Sequence, residues 1–547
     1  MHYLHKTLLL WLFASWEIAC LANDPADLSA TLDQLVQSGW EDASVQPTPP
    51  IDDYGFARRV TLDLAGRIPT IAELNAFVNS DSPDKRQEYV DRLLGMPDFA
   101  LHLRDTFDLM LLASIKHDQG WREYLLEATQ ENRPWDKIFQ EILVPERMAG
   151  DDKRPAAFLH SRAKELDALT NDCSVLLFGI NIACAKCHDH PLVDDWKQSH
   201  YFGLASFFER TYAMPAGRVS ERFDGSLKYT TVSGEEHQAQ LMFLTGQTAE
   251  EKRAELSKER SKEINDLIRD AQRNADAKSP PLPDFSPRME LVRMALDSRQ
   301  GNLLARNIVN RTWARLIGRG LVYPLDQMHT ENPASHPRLL DALADAFVDS
   351  GYDLKALIRA LVLSRTYALS SGIEADMKAT SEELFARGLL RPLTPRQLSL
   401  SLLVATQAPQ MLKTENGQMW SKQRLELESR ADAIASVFPI PDDGFQVSVD
   451  EALRFSNSQQ FQAAFLQDDT QIAPDTEATT LLGYLATLAE EDRLIEEAYL
   501  AILSRPPQAS EVGAIRLYLA QRRDRPTEAL RQVVWALLAS PETRFNH

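Results

Sequence analysis

The chain is predicted to be mainly α, a multi-helix two-domain protein with a small β-hairpin element between the domains. Three observations predict this. Apolar residues recur at helical spacing over long stretches of the 547 residues. Glycine is sparse, at 22 residues, which disfavours a β-sandwich built on many tight turns. Only residues 217–246 depart from the helical pattern. There Val219, Phe223, Leu227, Tyr229 and Val232 alternate with polar residues around Asp224-Gly225 and Ser233-Gly234, as a hairpin does. The length suits roughly three domains of about 150 residues, and an apolar content of 44% supplies a large core.

Residues 1–22 read as a signal peptide. His5 and Lys6 form a basic start, and Leu8 to Trp16 is apolar but too short to span a bilayer. Cleavage after Ala22 is expected. Lipid attachment at Cys20 is the alternative, although Glu17 stands where a lipobox has Leu. The protein is therefore expected to be exported, in the periplasm or cell envelope, with no transmembrane span. Residues 23–51 form a short helix and linker: Leu28, Leu32, Leu35 and Val36 share a face, and Pro47, Pro49 and Pro50 end it.

Residues 52–216 form the first helical domain. Phe56, Val60 and Leu64 line one face, and the chain breaks at Gly66-Arg67-Ile68-Pro69-Thr70. Thr70 with Glu73 has the spacing of a capping box. Helices follow over 84–95, 100–115, 119–130, 136–143 and 164–179, and an aromatic one from Tyr201 to Phe208. Residues 217–287 hold the hairpin element and a connector. Residues 248–275 are highly charged with little apolar face, which predicts a solvated helix or mobile linker. The run Ser279-Pro280-Pro281-Leu282-Pro283 marks a boundary. Residues 288–547 form the second domain, with helices over 302–316, 337–347, 353–364, 491–504, 508–520 and 526–540, helical segments within 388–440, and a polar, Gln-rich stretch at 446–470.

One echo joins the two ends. Gly66-Arg67-Ile68-Pro69-Thr70 with Glu73 parallels Ser504-Arg505-Pro506-Pro507-Gln508 with Glu511. Leu93, Leu94, Pro97 and Phe99 parallel Leu537, Leu538, Pro541 and Phe545. A duplicated helical unit and a coincidence of two capped helices both account for it.

A formal charge of −20 excludes a nucleic-acid binder, which needs a basic surface. No G-x-S-x-G, H-E-x-x-H or phosphate-cradling glycine loop occurs, so a hydrolase has no nucleophile. In the second domain Asn310, Arg311 and Arg319 suit a carboxylate or sulfate. Tying helix ends together is the plainer role for them, and His336 before Pro337 reads as a neighbour of a helix N-terminus.

The chemistry concentrates in Cys184-Ala185-Lys186-Cys187-His188-Asp189-His190-Pro191. C-x-x-C-H is the attachment signature of c-type haem. Cys184 and Cys187 would form the thioethers and His188 would be the proximal iron ligand. Beyond residue 22 the chain keeps Cys173, Cys184 and Cys187, an odd number that suits haem better than a disulfide framework. Met214, in Ala213-Met214-Pro215, and His160 are the candidate distal ligands, with His102 and His200 as further choices. His190 and Asp189 are placed around the site as supporting groups. Two alternatives stay open: a metal held by Cys173, Cys184, Cys187 and His188, and an oxidised Cys184–Cys187 pair without cofactor.

The stretch Phe56-Ala57-Arg58-Arg59-Val60-Thr61-Leu62-Asp63-Leu64-Ala65-Gly66-Arg67-Ile68-Pro69-Thr70, and Cys184 to Pro191 with Trp196, resemble the planctomycete cytochrome-type domain of unknown function. Ala305-Arg306-Asn307-Ile308-Val309-Asn310-Arg311-Thr312-Trp313, Gly318-Arg319-Gly320-Leu321-Val322, Ser335-His336-Pro337 and the ending Phe545-Asn546-His547 resemble its C-terminal companion, the planctomycete-specific domain. The resemblance implies an exported protein with a c-type haem (iron) at C-x-x-C-H, and it carries no accepted catalytic residues. The expected function is a haem-binding protein with a redox or electron-transfer role in the bacterial cell envelope. The alternative is a non-redox envelope protein binding a protein or polysaccharide partner. A redox partner or an envelope partner is expected accordingly.

Overall fold

The computed structural model describes residues 25–112, 118–150, 152–191, 193–252, 256–372, 381–438, 459–467 and 477–547. The leader, Cys20 and most of the Gln-rich stretch lie outside these. The chain is mainly helical, with small two-stranded sheets. It divides into two compact units that do not follow chain order: residues 1–44 with 104–361, and 45–103 with 362–547.

In the first unit the helix Pro25–Ala43 packs on Pro337–Asp349, which packs on Leu303–Ile317, which in turn packs on Leu166–Phe178. The approach to His336 is close: a Cβ on Gly39 would lie 2.6 Å from its Nε2. Asn307 Nδ2 donates to the Leu176 carbonyl oxygen at 2.8 Å, and Arg311 Nη2 to that of Val175 at 2.8 Å. Asn310 bonds both the N–H and the carbonyl oxygen of Val322, each at 2.9 Å. These side chains hold helix ends and turns, the plainer of their two expected roles.

The hairpin element is three hairpins in succession: Thr211–Ala213 with Val219–Glu221, Lys228–Thr230 with Glu236–Gln238, and Leu241–Met242 with Thr248–Ala249. The charged helix Lys258–Arg273 is not a free linker, contrary to expectation. Ile264, Ile268 and Ala271 form a narrow stripe buried against Tyr212 and Met214. Three apolar positions at spacings of four and three suffice to seat a helix whose other faces remain charged.

In the second unit Asp52 caps the helix Asp53–Ala65, accepting the Gly55 N–H at 2.8 Å, and Gly66 ends it with φ 69°, a left-handed turn that favours glycine. The expected capping box forms: Thr70 Oγ1 accepts the Glu73 N–H at 3.2 Å, and Glu73 Oε2 accepts the Thr70 N–H at 2.9 Å. Asp63 gathers three distant segments, accepting Tyr367 Oη at 2.6 Å, Arg391 Nη1 at 2.6 Å and Asn546 Nδ2 at 3.0 Å.

The terminal echo is reproduced bond for bond. Arg67 places Nη1 and Nη2 on Glu73 at 2.7 and 2.9 Å, Nη1 on the Ile68 carbonyl at 3.0 Å and Nε on Asp98 at 2.8 Å. Arg505 places the same nitrogens on Glu511 at 2.9 and 2.8 Å, on the Pro506 carbonyl at 3.2 Å and on Glu542 at 2.7 Å. Each arginine follows a left-handed residue, Gly66 or Ser504, and each second acid follows a proline, Pro97 or Pro541. The helices run in parallel order: Asp53–Ala65, Ile71–Val78, Lys85–Gly95 against Glu491–Leu503, Ala509–Ala520, Pro526–Leu538. So complete a match of bonds and element order favours duplication over coincidence.

Candidate functional site

The helix Leu166–Phe178 ends at Gly179, whose φ of 71° turns the chain sharply. A short 3-10 turn, Ala183–Lys186, follows and carries the motif. The Cys187 N–H donates to the Cys184 carbonyl oxygen at 3.4 Å, so the two cysteines sit on one turn. Cys184, Cys187 and His188 are all exposed, while Ala185 between them is buried and anchors the turn. Both thiols are free.

His188 has a defined orientation. Its Nδ1 lies 2.7 Å from the Asp189 carbonyl oxygen. A carbonyl only accepts, so Nδ1 carries the proton and Nε2 keeps its lone pair outward. Second bonds of this kind orient metal-bound imidazoles.

The surrounding loop is well bonded. Asp189 Oδ1 accepts the Gln198 N–H at 2.8 Å, Gln198 Nε2 donates to the Lys186 carbonyl oxygen at 3.2 Å, and the His190 N–H donates to the Trp196 carbonyl oxygen at 2.8 Å. Lys186 pairs with Asp167, which also accepts Tyr201 Oη at 2.6 Å. The Lys186 ammonium and the Tyr201 hydroxyl hold the Asp167 carboxyl below its ordinary range. The His190 ring meets Trp196 edge-on, with centroids 5.2 Å apart. Asp189 and His190 thus occupy the supporting positions around His188 that the sequence suggested.

The expected distal groups lie in other settings. Met214 is buried with Tyr212, Ile264, Ile268 and Ala271, and its carbonyl oxygen is 3.1 Å from His160 Nε2. Packing engages both residues. His102 belongs to the other compact unit, where its Nδ1 would be 2.6 Å from a Cβ on Gly66. His200 lies on the helix Gln198–Ser206, with Nδ1 3.2 Å from the Lys197 nitrogen, and burial lowers its pKa.

Cys173 is fully buried within Leu166–Phe178, and burial raises its thiol far above the ordinary range. Among the described residues, no group of three or more His, Cys, Asp or Glu side chains is arranged to hold a metal ion. The tetrahedron of three thiolates and His188 is therefore not assembled here.

The sequence did not flag a second segment that reaches this loop. Met328, His329 and Thr330 contact the chain on both sides of the motif. They lie more than 130 residues downstream, and no local pattern marks them.

Residues 31–213 match the family model PSCyt2, a protein of unknown function (DUF1549), and residues 287–519 match PSD1, a protein of unknown function (DUF1553). The PSCyt2 match draws on both compact units, and so does the PSD1 match. No curated protein and no solved structure matches the chain. No described helix is long and apolar enough to cross a membrane.

Proposed function

We propose, from the premise that this chain is a PSCyt2–PSD1 protein, that it is an exported protein carrying one covalent haem c in a redox or electron-transfer role in the cell envelope. Cys184 and Cys187 supply the thioethers and His188 the proximal ligand. The observation that carries this reading is the disposition of the motif. Two exposed thiols share one turn, and the adjoining imidazole has its Nδ1–H tied to Asp189 and its Nε2 lone pair free. Haem bound there would supply one-electron chemistry at iron. Export, expected from residues 1–22, would place the chain where such attachment takes place.

The test is a visible spectrum of the protein made in a host with haem-attachment machinery, followed by a pyridine haemochrome on denatured sample. An α-band at the c-type position that survives acid–acetone extraction is the expected result. A colourless protein with Cys184 and Cys187 joined as a disulfide would overturn it in favour of a non-redox envelope protein.

A further inference from the structure

The loop carrying the motif is fastened at both ends by one short segment of the PSD1 region, Leu325–Thr330. At the incoming end, the Asn181 N–H donates to the Asp326 carbonyl oxygen at 2.8 Å and Asn181 Nδ2 donates to Asp326 Oδ2 at 3.0 Å. The Met328 N–H donates to the Gly179 carbonyl oxygen at 3.0 Å, and Ile180 bridges Gln327 in antiparallel fashion. A Cβ on Gly179 would lie 3.2 Å from the Leu325 carbonyl oxygen, so the two backbones meet closely there. At the outgoing end, Asp195 Oδ2 accepts Thr330 Oγ1 at 2.6 Å and the Thr330 N–H at 3.2 Å. Beside that pair, the buried Trp196 indole is held between two imidazoles, His190 at 5.2 Å and His329 at 4.6 Å, both edge-on.

Each contact is modest, at about 1 kcal/mol for a neutral hydrogen bond and somewhat more where a carboxylate accepts. Their placement matters more than their sum. Between the two anchored ends lie Ile182 to Asp194, which hold Cys184, Cys187, His188 and His190. A loop of that length fixed at both ends has far fewer conformations than one fixed at a single end. Its exposed motif has little core of its own: of the five motif residues, only Ala185 is buried.

We infer that Leu325–Thr330 of the PSD1 region is the positioning element of the Cys184–His188 site, with the Asp195–Thr330 pair as its outer anchor and His329 as the ring that fixes Trp196 and, through it, His190. The companion domain thereby completes the site that the PSCyt2 domain begins. The effect on a bound iron rests on the haem reading of the preceding subsection; the effect on the loop does not.

The experiment uses the full chain with three substitutions: Thr330→Val, Thr330→Ser and His329→Ala. Hydrogen exchange is followed in the haem-free, reduced protein. Thr330→Val should speed exchange of the His190 and Gln198 amides about tenfold, the factor set by losing one hydrogen bond of about 1.4 kcal/mol. Thr330→Ser should restore the slow rate, and the helix Leu303–Ile317 should be unaffected throughout. His329→Ala should act at His190 in the same direction and change the emission of Trp196. Unchanged exchange at His190 and Gln198 in both Thr330→Val and His329→Ala overturns the inference.

In haem-loaded protein, Thr330→Val should lower the midpoint potential by admitting water to the iron, and Thr330→Ser should return it. A potential that ignores Thr330→Val while exchange quickens overturns the positioning role and leaves a merely structural clamp. A protein that takes up no haem overturns the haem reading instead, and the exchange comparison alone then decides the inference.

Discussion

His188 Nδ1 sits 2.7 Å from the carbonyl oxygen of its neighbour Asp189, which leaves Nε2 as the one ring nitrogen able to bind a metal. If the haem is bound as proposed, His188→Ala should keep both thioethers and alter the iron. The pyridine haemochrome of the variant should match wild type, while its native visible spectrum changes. Added imidazole should bring the native spectrum back. A native spectrum identical to wild type without imidazole would remove His188 as the proximal ligand.

The three cysteines should separate cleanly by reactivity. Cys184 and Cys187 are exposed, whereas Cys173 is buried and its thiol is held protonated by its apolar surroundings. The thiolate is the reactive form. In haem-free, reduced protein at mildly alkaline pH, an alkylating reagent should modify Cys184 and Cys187 at once. Cys173 should react at least roughly a hundredfold more slowly, only through opening of the structure. Mass spectrometry before and after denaturation checks this. Comparable labelling of Cys173 in the native protein would contradict its burial.

The duplicated arginine motifs should differ in cost. Arg67 is fully buried, its guanidinium lies 4.7 Å from the Trp420 ring centroid, and Trp420 Nε1 also donates to Asp98. Arg67→Leu strands Glu73 and Asp98 as buried charges and should cost about 3–5 kcal/mol. Arg505 makes the same bonds at 26% exposure, where water screens what remains. Arg505→Leu should cost about 1 kcal/mol. Thermal unfolding of the two variants measures the contrast. Equal losses would mean that burial does not set the difference.

What was legible in the sequence was local. Helices over 84–95, 119–130 and 508–520 were placed within a residue or two because apolar periodicity and caps are contiguous signals. The C-x-x-C-H turn was legible because its residues adjoin. The helix Lys258–Arg273 was misjudged because three small-area positions, Ile264, Ile268 and Ala271, hardly stand out among its charges. Asp98 and Trp420 around Arg67, and Thr330 beside Asp195, were illegible for another reason. They are brought in by the fold from 31 residues away or more, and no spacing rule links them.

His336 should make the protein less stable in mild acid. It precedes the helix Pro337–Asp349, and burial holds its imidazole below the ordinary pKa of 6.5. The folded chain therefore keeps it neutral where the unfolded chain takes up a proton. Above pH 6.5 both states are neutral and the residue adds no pH dependence. Below pH 6.5 the unfolded state binds more protons, so stability falls as pH drops, by at most about 1.4 kcal/mol per pH unit for one group. His200 and His329 are depressed by burial as well and add to the same slope. A single variant isolates the share of His336. His336→Gln should lower the urea midpoint at pH 7.5, because Gln fills the space against Gly39 less well. Its deficit relative to wild type should then shrink on going to pH 5, because the variant no longer loses stability by this titration. A deficit that stays constant from pH 7.5 to pH 5 would show that His336 is not held neutral by the fold.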